Sequence, residues 1–225
     1  MHINTCSNPA EKAAETLAKL LMPKTLLLLA GGSAKDVYME LPKYLIDHKY
    51  EEVVVCMEDE RWNINPHHVH SNFESLKSMD FLKKLKTKGA LVTTILNGLH
   101  IDQDTSEFNQ LIDSYIKKDY KIVLFMGIGK DGHTAGIIPT DEETFNKTYN
   151  TGAWAVYHTN IDPIFPKRIT ITPKTIHQAD NVVVYAIGAE KANILRKLAS
   201  QVNISKMPAK LFSEIDATIF TDSNI

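Results

Sequence analysis

Long apolar runs are missing from this sequence. None approaches the ~20 residues needed to span a bilayer, and the longest candidate, residues 25–30, has the length of a strand, so no membrane association is expected. Cysteine is scarce: Cys6 and Cys56 lie far apart, which excludes a disulfide framework and makes a reducing compartment the default. Nor is there an excess of one charge. With 25 Lys+Arg against 27 Asp+Glu, no surplus of positive charge drives nucleic-acid binding by counterion release. A small anionic ligand is still compatible, because it needs only two or three local donors. Residues 1–8 lack the basic-then-apolar layout of a secretion signal, so the expected location is cytoplasmic. What is present is an average globular composition, 44% hydrophobic and 23% charged over 225 residues, which predicts one domain over 1–225.

Apolar positions at helical spacing predict a first helix over 9–21, with Asn8 as cap, Pro9 at its first position and Glu11 placed for a capping box. The buried strand 25–30 stops at Gly31-Gly32-Ser33 and gives way to a helix through Val37, Leu41 and Tyr44, which Pro42 should kink or split. Strand 52–57, a polar loop and a helix over 72–85 follow. The apolar run 91–96 comes next, then a helix opened by a capping pair Asp104 and Glu107 and carrying Phe108, Leu111, Ile112, Tyr115 and Ile116 on one stripe. Strands are predicted at 121–126, 154–158, 168–172, 182–187 and 218–221, and a helix at 190–202. Continuously apolar strands alternating with amphipathic helices indicate an α/β class, with a mostly parallel sheet covered on both faces. In such sheets ligands bind beyond the carboxyl ends of the strands.

Three loops at such ends stand out. Gly31-Gly32-Ser33 lets the backbone approach a ligand at a helix start, although a plain strand-to-helix turn explains it equally well. Glu58-Asp59-Glu60-Arg61-Trp62 puts three repelling carboxylates in succession, which costs stability unless a cation or ligand sits among them; a solvated acidic loop is the plain alternative. The third, Gly127-Ile128-Gly129-Lys130-Asp131-Gly132-His133-Thr134-Ala135, brings out an aspartate two residues from a histidine, a pair able to act as an oriented general base. Its glycines are expected to supply backbone donors for an oxyanion. Arg168 and Lys191 could clamp a phosphate together with the Gly-Gly-Ser turn, Arg as a fork and Lys as a point charge. His67, His68 and His70 cluster, but without a Cys pair or a helical His-x-x-x-His spacing, so no metal site is expected.

Taken in order, several segments resemble the 6-phosphogluconolactonase family, within the wider group that includes glucosamine-6-phosphate deaminases. They are Gly31-Gly32-Ser33, Asp59-Glu60-Arg61-Trp62 with Ser71-Asn72, the 127–135 loop ending at Pro139, Arg168-Ile169-Thr170-Ile171-Thr172, Gly188-Ala189-Glu190-Lys191-Ala192 and Pro208-Ala209. The resemblance implies a three-layer α/β fold and hydrolysis of 6-phosphoglucono-δ-lactone to 6-phosphogluconate in the oxidative pentose phosphate pathway, without metal or organic cofactor. It implies that His133 is the general base and that Asp131 holds it in place. Arg61 would lie near the lactone, with Asp59, Asn72, Gly129 and Lys130 also binding substrate, while Gly31, Gly32, Ser33, Arg168 and Lys191 would hold the phosphate. A monomer or weak homodimer is expected. Where the family usually has Thr-Pro after Gly-Gly-Ser, this chain has Ala34-Lys35, and Lys35 would substitute electrostatically for the missing hydroxyl. Deaminases of the group follow Asp-Gly-His with an Asn-Glu-Pro-type segment whose glutamate is catalytic; here Gly136-Ile137-Ile138-Pro139 carries no carboxylate, which favours the lactonase. A non-catalytic sugar-phosphate sensor is the alternative from another class, and the intact Asp131/His133 pair argues against it.

Overall fold

The computed structural model describes residues 1–45, 49–159 and 164–225, with the backbone alone at residue 33. In chain order the elements are β1 (His2–Thr5), α1 (Pro9–Leu20), β2 (Thr25–Leu29), α2 (Lys35–Glu40), β3 (Val53–Met57), β4 (Asp59–Arg61), α3 (Asn72–Lys77), α4 (Asp80–Thr87), β5 (Leu91–Val92) and α5 (Ile101–Lys117). They continue with β6 (Lys121–Gly127), α6 (Glu142–Tyr149), β7 (Ala155–Thr159), β8 (Lys167–Ile171), α7 (Pro173–Gln178), β9 (Asn181–Tyr185), α8 (Ala189–Lys197) and β10 (Ala217–Thr221). Among the described residues no helix is long and apolar enough to cross a membrane.

Seven strands form one parallel sheet in the order β1-β10-β9-β6-β2-β3-β5. Every residue of β2 and β3 is buried, so both faces are covered, as their uninterrupted Leu and Val runs require. Helix α1 packs on β9 and β10, and Tyr38 of α2 stacks on Phe81 of α4 at 4.8 Å between ring centroids while meeting Phe125 of β6 edge-on at 5.4 Å. From β2 the chain moves outward through β3 to β5, then returns to the other side of β2 as β6 before moving on to β9 and β10. The order therefore reverses between β2 and β6, and the loops leaving these strands diverge to open a crevice at their carboxyl ends.

Not all strands join this sheet. β4, β8 and β7 form a separate antiparallel sheet in which Arg61 lies opposite Arg168 and Asp59 opposite Thr170. β7 mixes buried Ala155 and His158 with exposed Tyr157 and Thr159, unlike the fully buried β2 and β3. Several predicted boundaries change. The helix over 72–85 is two helices, because Met79 adopts extended backbone between them. The run 91–96 is a strand only at Leu91–Val92. The capping pair of α5 is His100 and Gln103 rather than Asp104 and Glu107. Asp104 is instead turned inward, accepting from Trp62 Nε1 at 3.1 Å and the Asn97 amide at 3.0 Å. Asn8 donates to Glu11 at 3.2 Å rather than capping the α1 backbone, Pro42 ends α2 in a 3-10 turn, α8 stops at Lys197, and β1 is an additional edge strand pairing with β10.

Candidate active site

A cavity of about 280 Å³ opens at the reversal point, between the ends of β2 and β6. Gly31 and Gly32, Glu58, Asp59 and Arg61, Asn72, Gly129, Lys130 and His133, Arg168 and Lys191 line it. The two loops, the two sheets and the start of α8 thus bring together nearly all the residues singled out from sequence. Asp131 does not line the cavity but holds His133, and the side chain of Ser33 lies outside the described residues. Lys35 is exposed and lies outside the lining.

After β6 the chain makes a compact turn in which the amides of Gly129, Gly132, His133 and Thr134 are all engaged, donating to His133 O (2.8 Å), Gly129 O (3.0 Å), Asp131 Oδ1 (3.1 Å) and Ile137 O (3.3 Å). These amides are internal to the loop and are not aimed at a ligand, contrary to the oxyanion role expected for them. They brace the side chain of His133 instead. Its Nδ1 lies 2.6 Å from Asp131 Oδ1, and this bond first of all lowers the Asp131 carboxyl to about 2. A carboxylate only accepts, so in the neutral imidazole Nδ1 carries the proton and Nε2 keeps its lone pair. The ring lies against the backbone of Gly129, where a Cβ would overlap Cε1 and Nδ1; glycine is required there for space. Behind the loop, Ala135 sits at φ +48, and its turn is tied down by Gly136 N–H to Thr170 Oγ1 (2.9 Å) and by His158 Nε2 to Gly136 O (2.7 Å). Burial lowers the pKa of the His158 imidazole. Thr170 lies inside the 168–172 segment that carries the resemblance, without a role of its own there, and no motif marks His158 in the sequence.

The acidic triplet is buried rather than solvated, and period-2 geometry sorts its members. Asp59 and Arg61 share one face of β4. Glu60 points away and accepts from Ser71 Oγ and the amides of Arg61, Asn72 and Phe73 at 2.7–3.0 Å, anchoring the start of α3; burial pushes its carboxyl up to about 7, against these donors. Asn72 uses its whole amide locally: Nδ2 donates to Asp59 O and Oδ1 (both 3.0 Å), and Oδ1 accepts from Arg61 Nη1 (2.6 Å). It therefore organises the site and packs against Gly31, where a Cβ would stand 2.6 Å from its Oδ1. Arg168 pairs with Asp59 at 3.3 Å. Lys191 is 8% exposed, and burial lowers its pKa. Glu58 also faces the cavity, a residue the sequence marked only as part of a charge cluster. Of the three clustered histidines, His67 bonds to Glu74, His68 bonds to the carbonyl of Arg61, and His68 and His70 both pack on Phe165.

The sequence pattern described as glucosamine-6-phosphate isomerases/6-phosphogluconolactonase matches residues 4–220. A putative 6-phosphogluconolactonase of Caenorhabditis elegans is 37% identical over 79 residues, covering 35% of this chain and 29% of that one. A 6-phosphogluconolactonase of Borreliella burgdorferi is 26% identical over 175 residues, covering 73% and 66%. The chain spans less than two thirds of the length of these two curated relatives. Among solved structures, a 6-phosphogluconolactonase from Plasmodium vivax superposes with a TM-score of 0.78 at 18% identity, covering 100% of this chain and 90% of that one, a likeness of fold. The match over residues 4–220 takes in every strand end and loop that builds the cavity, and the chain belongs to the glucosamine-6-phosphate isomerase/6-phosphogluconolactonase family.

Proposed function

We propose that this protein hydrolyses 6-phosphoglucono-δ-lactone to 6-phosphogluconate, the lactone-opening step of the oxidative pentose phosphate pathway. The observation that carries the reading is His133, its Nδ1 held by Asp131 at 2.6 Å and its other nitrogen free of any described partner, at the wall of a cavity lined by four basic side chains. Nε2 takes a proton from water, and the water oxygen attacks the lactone carbonyl carbon to form a tetrahedral oxyanion. Collapse of that intermediate breaks the bond to the ring oxygen, which receives the proton back from His133. One water is consumed, and the ring opens to an acid and a hydroxyl. A positioned base of this kind contributes ~10²–10⁴-fold. The amides of Gly129, Gly132, His133 and Thr134 are engaged within the loop, and the cations Arg61 and Lys130, which line the cavity, are assigned to the oxyanion.

The charge pattern supports a phosphorylated substrate. Arg61 and Arg168 face each other across β4 and β8, a repulsion that the Asp59 carboxylate, paired with Arg168, offsets in part. Lys191 is charged only at a desolvation cost. A phosphate dianion relieves both, with Arg168 and Lys191 as its main ligands and the Gly31-Gly32-Ser33 turn beneath it. Purified protein should speed the loss of 6-phosphoglucono-δ-lactone above its spontaneous rate with EDTA present, and should release no ammonium from glucosamine 6-phosphate. Ammonium release without lactone hydrolysis would replace this reading with the deaminase. Binding of 6-phosphogluconate without turnover of either compound would replace it with a sensor.

A further inference from the structure

Glu58 is the one carboxylate of the acidic triplet that the fold itself does not use. Asp59 is bonded to Arg168 and Asn72, and Glu60 accepts four hydrogen bonds. The Glu58 side chain makes no hydrogen bond to any described residue, although the residue is 2% exposed and its Oε2 is fully buried. The Tyr38 hydroxyl behind it donates to the Ala30 carbonyl, 2.5 Å away. Burial first, and then repulsion from Asp59, hold the Glu58 carboxyl well above the ordinary carboxylate range. A neutral carboxyl carries an O–H that needs an acceptor, and burying it without one is costly. Since Glu58 lines the cavity, that acceptor can come from a ligand.

The sheet order says which part of the ligand this is. β3, which leads into Glu58, and β9, which leads to Lys191, are three strand positions apart, roughly 14 Å at ~4.8 Å per strand. A phosphate drawn to the Lys191 side of the cavity, with Arg168 reaching it from its pair with Asp59, leaves Glu58 on the β3 side for the sugar. We infer that Glu58 is a sugar-recognition residue, giving a hydrogen bond as a neutral acid to one oxygen of the carbohydrate part of the ligand. The inference rests on the sugar-phosphate reading above.

Calorimetric titration of wild type, Glu58→Met and Glu58→Gln with 6-phosphogluconate and with inorganic phosphate, alongside thermal midpoints, tests it. Glu58→Met keeps the length and removes the donor. It should weaken 6-phosphogluconate by about tenfold, leave inorganic phosphate within about twofold, and hold or raise the midpoint, because an unpartnered buried carboxyl is lost. Glu58→Gln, with an amide donor in place, should bind 6-phosphogluconate within about threefold of wild type. The inference is overturned if Glu58→Met binds 6-phosphogluconate like wild type, if both ligands weaken equally, if Glu58→Gln is as weak as Glu58→Met, or if affinity and midpoint fall together. Wild type that binds inorganic phosphate but not 6-phosphogluconate would instead overturn the substrate reading, and this inference with it.

Discussion

His133 owes its orientation to two neighbours of different kinds, a carboxylate that bonds it and a glycine that makes room for it. Gly129→Ala should therefore lower kcat by about a hundredfold through a displaced imidazole while circular dichroism stays native; unchanged turnover would mean that the ring has another resting place. Lys191→Met should act on binding instead, raising KM by about tenfold with kcat nearly constant, and a collapse of kcat at constant KM would misplace it. At this scale the sequence was readable wherever a residue type announces chemistry, as in the Asp131/His133 pair and the cations Arg61, Arg168 and Lys191. It was unreadable where the role is made by contact. Asn72 organises Asp59 and Arg61 through three bonds that no spacing rule predicts, and Glu58 differs from Glu60 only in what the fold places around it.

Among the elements, α3 shows how a short helix is made to serve the site. It has six residues, too few for intrinsic stability, and is held by Ser71, which accepts from the Glu74 amide at 3.2 Å and donates to Glu60 at 2.8 Å. Ser71→Ala should cost about 1–2 kcal/mol in urea unfolding and also raise KM, because Asn72 loosens with the helix start. A stability loss with unchanged KM would uncouple α3 from the site. The amphipathic period located α1 and α5 well. It ran α3 and α4 together because the break at Met79 has no proline or glycine to mark it. It also misplaced the α5 cap, since an aspartate at a helix start looks the same whether it caps its own helix or, like Asp104, turns inward to Trp62 and Asn97.

Over the whole molecule, the parallel sheet and its reversal between β2 and β6 explain why loops distant in sequence share one cavity. The alternation of apolar strands and amphipathic helices was enough to expect that class. The separate β4-β8-β7 sheet was hidden, because strand signals do not say which sheet a strand joins. A price in stability follows from burying carboxyls at this junction. Glu58 and Glu60 both have pKa values raised above the ordinary 4.5, Glu60 to about 7, with burial the first cause. Each keeps its proton in the fold at pH values where the unfolded chain has lost it. Their stabilising contribution is therefore fully present below 4.5 and is lost as pH rises through the raised values, by at most about 1.4 kcal/mol per pH unit for each group. Unfolding free energy should fall less between pH 5 and 7 in Glu58→Gln than in wild type, and equal slopes would show Glu58 ionised in the fold.

Whether this cavity opens a lactone with His133 as the base is tested most directly by kcat for 6-phosphoglucono-δ-lactone in wild type and His133→Ala at one pH, with thermal midpoints measured on both. With His133 as the base, kcat should fall by ~10²–10⁴-fold at an essentially unchanged midpoint. A folded His133→Ala that retains wild-type kcat would contradict that role.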